Sequence, residues 1–219
     1  SPEAYVEKLQ RLGFSGIGRE RIVTSGDVMA HFLKQKFSHP HIYLAGTPSL
    51  AKQLREQGIA LLPPDTPSAD AVVIGFDTTF SFEKATAACR LIAAGVPFFA
   101  TNIDRVCPLE AGAFLPDCGS ICACLEHATG RRPDITLGKP DPNMLSGILS
   151  RHGLQPYEIA MVGDRIYTDV QMAHNAGAMG VLVLSGETTL DVADKADPQP
   201  HITADSIEVL GELIREANR

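Results

Sequence analysis

The sequence predicts an α/β protein with mostly parallel sheets. Three observations along its 219 residues carry this reading. Short apolar runs recur, amphipathic stretches of helical length separate them, and Pro- and Gly-containing loops punctuate the alternation.

Taken in order, Glu3 to Leu12 sets Tyr5, Val6, Leu9 and Leu12 on one helical face. Val28 to Phe37, with Phe32, Leu33 and Phe37, reads as a connecting helix with a core face. Ile42–Ala45 and Ala71–Phe76 read as buried parallel strands, and Pro63-Pro64-Asp65-Thr66-Pro67 between them is a loop. Phe82 to Ala94 repeats the helical pattern through Ala85, Ala88, Cys89 and Ile92, ahead of a strand at Pro97–Ala100. A short strand precedes Gly138, and Asp141-Pro142 opens a helix running through Leu149. Strands at Ile159–Val162 and Val181–Leu184 follow, then a loop at Asp197-Pro198-Gln199-Pro200. Ile207, Leu210, Leu213 and Ile214 define a closing helix.

Charge narrows the function classes. Nineteen Lys and Arg against 26 Asp and Glu give a formal net charge of −7 with no basic run. That argues against nucleic acid and against an acidic membrane surface. No apolar run is long enough to span a bilayer, and Ser1-Pro2-Glu3-Ala4-Tyr5 does not read as a secretory signal. Five cysteines lack disulfide-framework spacing, so a cytoplasmic chain with reduced thiols is expected.

Chemistry concentrates in two segments. In Ile159-Ala160-Met161-Val162-Gly163-Asp164-Arg165-Ile166-Tyr167-Thr168-Asp169 an apolar strand ends in Gly-Asp and a helix follows. Ligands of open α/β sheets sit beyond the carboxyl ends of strands, so Asp164 is aimed at a ligand crevice. Asp169 lies about one turn on and can point back to it. Two converging carboxylates suit Mg²⁺, although an N-capping Asp followed by a solvated one gives the same pattern. In Gly138-Lys139-Pro140 a strand-end lysine is fixed between Gly and Pro, either as a phosphate-binding point charge or as a surface lysine in a turn. With 25 residues between Lys139 and Asp164, the two segments are expected to form one βαβ unit with neighbouring strand tips.

These residues carry a resemblance. The sequence resembles the haloacid dehalogenase-like hydrolases, in the branch of NagD, 4-nitrophenylphosphatase, and phosphoglycolate and pyridoxal phosphate phosphatases. Gly138-Lys139-Pro140 matches the third motif, and Gly163-Asp164-Arg165 with Thr168-Asp169 matches the fourth. Val73 to Asp77, Ala100 to Asp104, Ala128-Thr129-Gly130 and Val181 to Gly186 match stretches of the branch. The likeness runs over essentially the whole chain.

The resemblance implies a Rossmann-like core, about 1–25 and 133–219, with an α/β cap domain at 26–132. It implies an Mg²⁺-dependent phosphatase acting on a small phosphorylated metabolite, with a homodimer formed through the cap domains. Asp164 would ligate the metal and Asp169 support it. Lys139 would neutralise phosphate, and Asn102 and Asp104 on the cap domain would face the substrate.

Members of this kind open with a strand ending in Asp-x-Asp-Gly, whose first Asp attacks phosphorus and whose second is the general acid and base. A Thr or Ser at the next strand tip binds phosphate. These motifs are expected upstream of Ser1, and the core would lack its N-terminal strand without them. A rival reading makes Asp77 the nucleophile, with Phe98-Phe99-Ala100-Thr101-Asn102 as a second motif. A third makes the chain a non-enzymatic protein of the same fold. Cys118, Cys122 and Cys124 near His127 do not have a zinc-ligand spacing and read as packed thiols.

Overall fold

A computed structural model describes residues 2–109 and 112–219; Ser1 of the expected core segment lies outside them. Its contacts divide into two compact units, Ser1–Gly138 and Lys139–Arg219.

The first unit opens with helix α1 (Pro2–Arg11) and a single 3-10 turn at Arg19–Arg21. Helix α2 (Ser25–Lys36) starts on a capping box. Thr24 Oγ1 accepts from the Asp27 N–H, and Asp27 Oδ2 accepts from the Thr24 N–H at 2.9 Å. Strand β1 (His41–Ala45) leads into α3 (Pro48–Glu56), which has Thr47 as N-cap and Pro at its first position. Strands β2 (Ala60–Leu61) and β3 (Ala71–Ile74) follow. Then come α4 (Phe82–Ala93), β4 (Phe98–Ala100), a hairpin of β5 (Val106–Pro108) with β6 (Phe114–Pro116), α5 (Cys118–Thr129) and β7 (Ile135–Thr136).

Five of these strands form a parallel sheet in the order β2-β1-β3-β4-β7. The side-chain period of two divides it between two helical layers. Tyr43, Ala45, Val72, Ile74, Phe98 and Ala100 pack with Leu91 and Ile92 of α4 and Ile121 and Leu125 of α5. Phe99 faces the other way and meets Phe32 of α2 edge-on, ring centroids 5.2 Å apart. All four residues of β3 are buried, as expected for the middle of a covered parallel sheet.

The second unit holds α6 (Asn143–His152), β8 (Ala160–Gly163), a π-helical turn at Ile166–Val170, and α7 (Gln171–Ala176). It continues with β9 (Met179–Val183), α8 (Leu190–Ala193), β10 (Ile202–Ala204) and α9 (Ile207–Ala217). Its three strands are parallel in the order β10-β9-β8. Leu145, Met172, Ala173 and Ala178 form one small core, and Val181, Ala204 and Leu210 another.

The strands read from the sequence are all present, within two residues at each end. The expected βαβ unit is not. Strand β7, ahead of Lys139, pairs with β4 of the first unit, whereas β8, ahead of Asp164, pairs with β9. Local spacing cannot see this, because strand choice depends on which edge the chain returns to.

Candidate active site

The chain leaves β8 at Gly163 and turns through Asp164 and Arg165. The Arg165 carbonyl then accepts from both the Asp169 N–H at 3.0 Å and the Val170 N–H at 3.2 Å. The second of these is the wide i to i+5 bond of a π turn, a geometry frequent at functional sites. It carries Asp169 back beneath Gly163, so closely that a Cβ at residue 163 would collide with the Asp169 carboxylate.

Asp169 is 3% exposed, and both its oxygens are engaged. Oδ1 accepts from Lys139 Nζ at 2.6 Å, and Oδ2 accepts from the Arg165 N–H at 3.3 Å. An unpaired carboxylate at this depth would be costly, and Lys139 supplies the opposite charge beside Asp169. The Lys139 side chain stays 43% exposed, and its ammonium has three protons, so donors remain for an anion arriving from solvent. Asn175 Nδ2 donates to the Pro140 carbonyl at 3.0 Å and ties the lysine's turn to α7.

Asp164 is half-buried and held by the loop after β9. Its Oδ2 accepts from the Glu187 N–H at 2.9 Å. Its carbonyl accepts from the Thr188 N–H at 3.2 Å and the Thr188 hydroxyl at 2.6 Å. Gly186 lies against this carboxylate, and a Cβ there would collide with it. Glu187 is in turn gripped by Arg165, with Nε 2.6 Å from Oε2, and by the Tyr167 hydroxyl, which donates to Oε1 at 2.9 Å. Desolvation pulls the Arg165 pKa down, but Tyr167, Glu187 and Asp164 outweigh it and hold it above its ordinary value.

The donor set can be compared with Mg²⁺. That ion takes one or two carboxylates and fills its octahedron with water and phosphate oxygens. Asp164 offers a half-buried carboxylate with one oxygen fixed by a backbone N–H, which fits. Among the described residues no group of three His, Cys, Asp or Glu side chains converges into a protein-only cage.

Asn102 and Asp104 belong to the first unit, beyond the carboxyl end of β4. Asn102 Oδ1 accepts from the Asp104 N–H at 3.2 Å, and the Asp104 carbonyl accepts from the Gly119 N–H at 2.8 Å. The Asp104 side chain is exposed. Nearby Asp117 has its pKa raised by burial, opposed by the Cys118 N–H and reinforced by the charge of Asp104.

Asp77, the nucleophile of the rival reading, is enclosed. Its side chain has no accessible surface and its ion pair with Lys84 measures 2.6 Å. Its other oxygen accepts from the Thr79 N–H at 2.9 Å and the Thr79 hydroxyl at 2.7 Å. Enclosed and bonded in this way, the carboxylate pins the β3–α4 loop. Thr101, the partner in that reading, is buried beside Cys118.

Sequence reasoning missed the role of Glu187. Asp164 is reached through the Glu187 backbone N–H, a group every non-proline residue has, so no side-chain pattern marks it.

Comparison with known proteins agrees with this geometry. Residues 1–60 match a family model described as haloacid dehalogenase-like hydrolase, and residues 136–210 match one described as HAD-hydrolase-like. Chronophin of Mus musculus is 34% identical over 223 residues, covering 95% of this chain and 76% of its own length. The crystal structure of 4-nitrophenylphosphatase from Thermotoga maritima superposes with a TM-score of 0.89 at 37% identity, covering 97% of this chain and 79% of its own. A glycerol phosphate phosphatase from Mycobacterium tuberculosis, solved in complex with calcium, gives a TM-score of 0.88 at 30% identity, covering 96% of this chain and 62% of its own.

Proposed function

The chain belongs to the haloacid dehalogenase-like hydrolases, in the branch that contains 4-nitrophenylphosphatase, and from that premise we propose that it is a phosphatase hydrolysing small phosphate monoesters with Mg²⁺. The observation that carries the reading is the ion pair of Lys139 with the buried Asp169, at 2.6 Å, on the turn that follows the Asp164 strand tip. A cation and two carboxylates gathered at the carboxyl end of a parallel strand suit a phosphate ester and a hard divalent ion.

In this reading Asp164 holds Mg²⁺, and Asp169 fixes Lys139 and the Arg165 backbone. Lys139 offers its remaining protons to the phosphoryl oxygens. When bound, the metal would neutralise charge on the transferring phosphoryl group. Lys139 does the same from the protein side, where a preorganised donor is worth far more than in water. The attacking carboxylate is assigned to an Asp-x-Asp-Gly strand preceding Ser1: it displaces the ester's alcohol, which leaves with a proton from the second Asp, and the aspartyl-phosphate so formed is cleaved by water to release inorganic phosphate. Support for such a strand comes from β8. It pairs with β9 alone among the described residues, and Met161 and Val162 on it are only half-buried. Parallel strands are ordinarily covered on both sides.

Asn102 and Asp104 are proposed to meet the substrate from the cap domain. Exposed Val106, Leu109, Phe114 and Leu115 around the hairpin support a homodimer through that domain. No helix among the described residues is long and apolar enough to cross a membrane.

The test is Mg²⁺-dependent phosphate release from 4-nitrophenyl phosphate by the full-length protein. Turnover should disappear in EDTA and in Asp164→Asn. Turnover indifferent to both would overturn the reading.

A further inference from the structure

Arg165, Glu187 and Tyr167 form a cluster that the reaction outlined above does not use. Both oxygens of the Glu187 carboxylate are taken, one by the Arg165 guanidinium at 2.6 Å and the other by the Tyr167 hydroxyl at 2.9 Å. The Arg165 and Glu187 side chains are 38% and 46% exposed, and an ion pair that open to solvent contributes little to stability. What the cluster does is join two segments. Arg165 and Tyr167 belong to the turn after β8, and Glu187 belongs to the loop after β9. The Glu187 N–H is the group that donates to Asp164 Oδ2, and Thr188 next to it donates twice to the Asp164 carbonyl.

We propose that the Arg165–Glu187–Tyr167 cluster is a clasp that positions Asp164 for its metal ion. Anchoring the Glu187 side chain fixes its peptide N–H on Asp164 Oδ2 and leaves the other oxygen to the cation. Arg165 also donates its own N–H to Asp169 Oδ2, so one residue braces both carboxylates of the site. Outer partners of metal ligands generally act this way, and losing one weakens metal affinity by about 10- to 100-fold. This inference rests on the assignment of Asp164 as the metal ligand.

Simple electrostatics predicts a different result, which makes the clasp testable. Removing the Arg165 charge beside a cation site should tighten cation binding if only the Coulomb repulsion between the two cations is at work. A positioning role requires it to weaken. The probe is Mn²⁺, which shares the octahedral oxygen preference of Mg²⁺, followed by electron paramagnetic resonance in the full-length protein. Arg165→Gln and Glu187→Gln should each weaken Mn²⁺ binding about 10-fold. The double variant should be no weaker than either single one, because both break the same link. The Mg²⁺ concentration for half-maximal activity should rise in step, with kcat at saturating Mg²⁺ within about twofold of the parent. Unchanged or tighter Mn²⁺ binding in Arg165→Gln overturns the clasp. Asp164→Asn separates the two levels: if it leaves Mn²⁺ binding intact, the metal-ligand assignment fails, and if it abolishes binding while Arg165→Gln does not weaken it, only the clasp fails.

Discussion

Gly163 and Gly186 set how closely the backbone approaches two carboxylates. Neither has room for a Cβ, since Asp169 fills the space at one and Asp164 at the other. Gly163→Ala should push Asp169 away from Lys139. The expected outcome is a loss of at least about tenfold in kcat, with the far-ultraviolet circular dichroism spectrum unchanged, because the displacement is local. Lys139 is held to a stricter expectation. Lys139→Met removes the cation proposed to meet phosphate and strands Asp169, so kcat should fall by about 10² or more and the melting temperature should drop as well. The three charged residues were legible because a strand-end Lys and a strand-end Gly-Asp, with a second Asp a turn later, are unusual combinations of residue type and position. Glu187 and Thr188 were not, because they act on Asp164 largely through backbone N–H groups.

At the scale of elements, two polar links hold loops that the apolar pattern leaves undetermined. Lys84 on α4 donates to Asp77 Oδ2, Thr79 Oγ1 and the Gly46 carbonyl, and so joins the ends of β1 and β3. Lys84→Met leaves the Asp77 carboxylate buried without its cation. Urea unfolding should show a loss of about 3 kcal/mol. Asp77→Asn should still turn over substrate, since this carboxylate is structural. The second link is Asp27 in the α2 capping box. Burial pushes its pKa up, but hydrogen bonds from Thr24 and Arg19 outweigh burial and hold it below the usual range of an aspartate. A carboxyl whose folded pKa is lowered stabilises above its unfolded pKa, and that stability is lost as pH falls through the folded value. The parent should therefore exceed Asp27→Asn by about 1 kcal/mol at pH 7, and the gap should close progressively below about pH 4. Such elements show where periodicity stops being informative. The buried strands and amphipathic helices were readable because burial imposes periods of 2 and 3.6. The two-residue strands β2 and β7 and the π turn are too short to have a period.

At the scale of the whole molecule, the two units are unequally covered. The first unit encloses a five-stranded sheet between helical layers. In the second, β8 pairs on one side only among the described residues, and α9 buries Leu210 while Ile207, Leu213 and Ile214 remain exposed. In the proposed reaction, the Asp164 strand tip with its fixed lysine supplies the electrophilic half of phosphoryl transfer. Asp169 is locked by Lys139 and Arg165, and Asp164 is the residue proposed to hold the cation, so in that reading neither serves as the in-line nucleophile. Binding and turnover should therefore separate. Residues 1–219 expressed alone should retain Mn²⁺ binding that Asp164→Asn removes. They should release phosphate from 4-nitrophenyl phosphate at less than about 10⁻³ of the rate of a protein that also carries an upstream Asp-x-Asp-Gly strand, because loss of a covalent nucleophile leaves only positioning and charge stabilisation to act. Amide hydrogen exchange supplies the structural half of the test. Protection along Met161 and Val162 should rise when the added strand is present, since an unpaired edge exposes its backbone groups to solvent. Full turnover by residues 1–219 alone would mean that the attacking group lies within this chain after all.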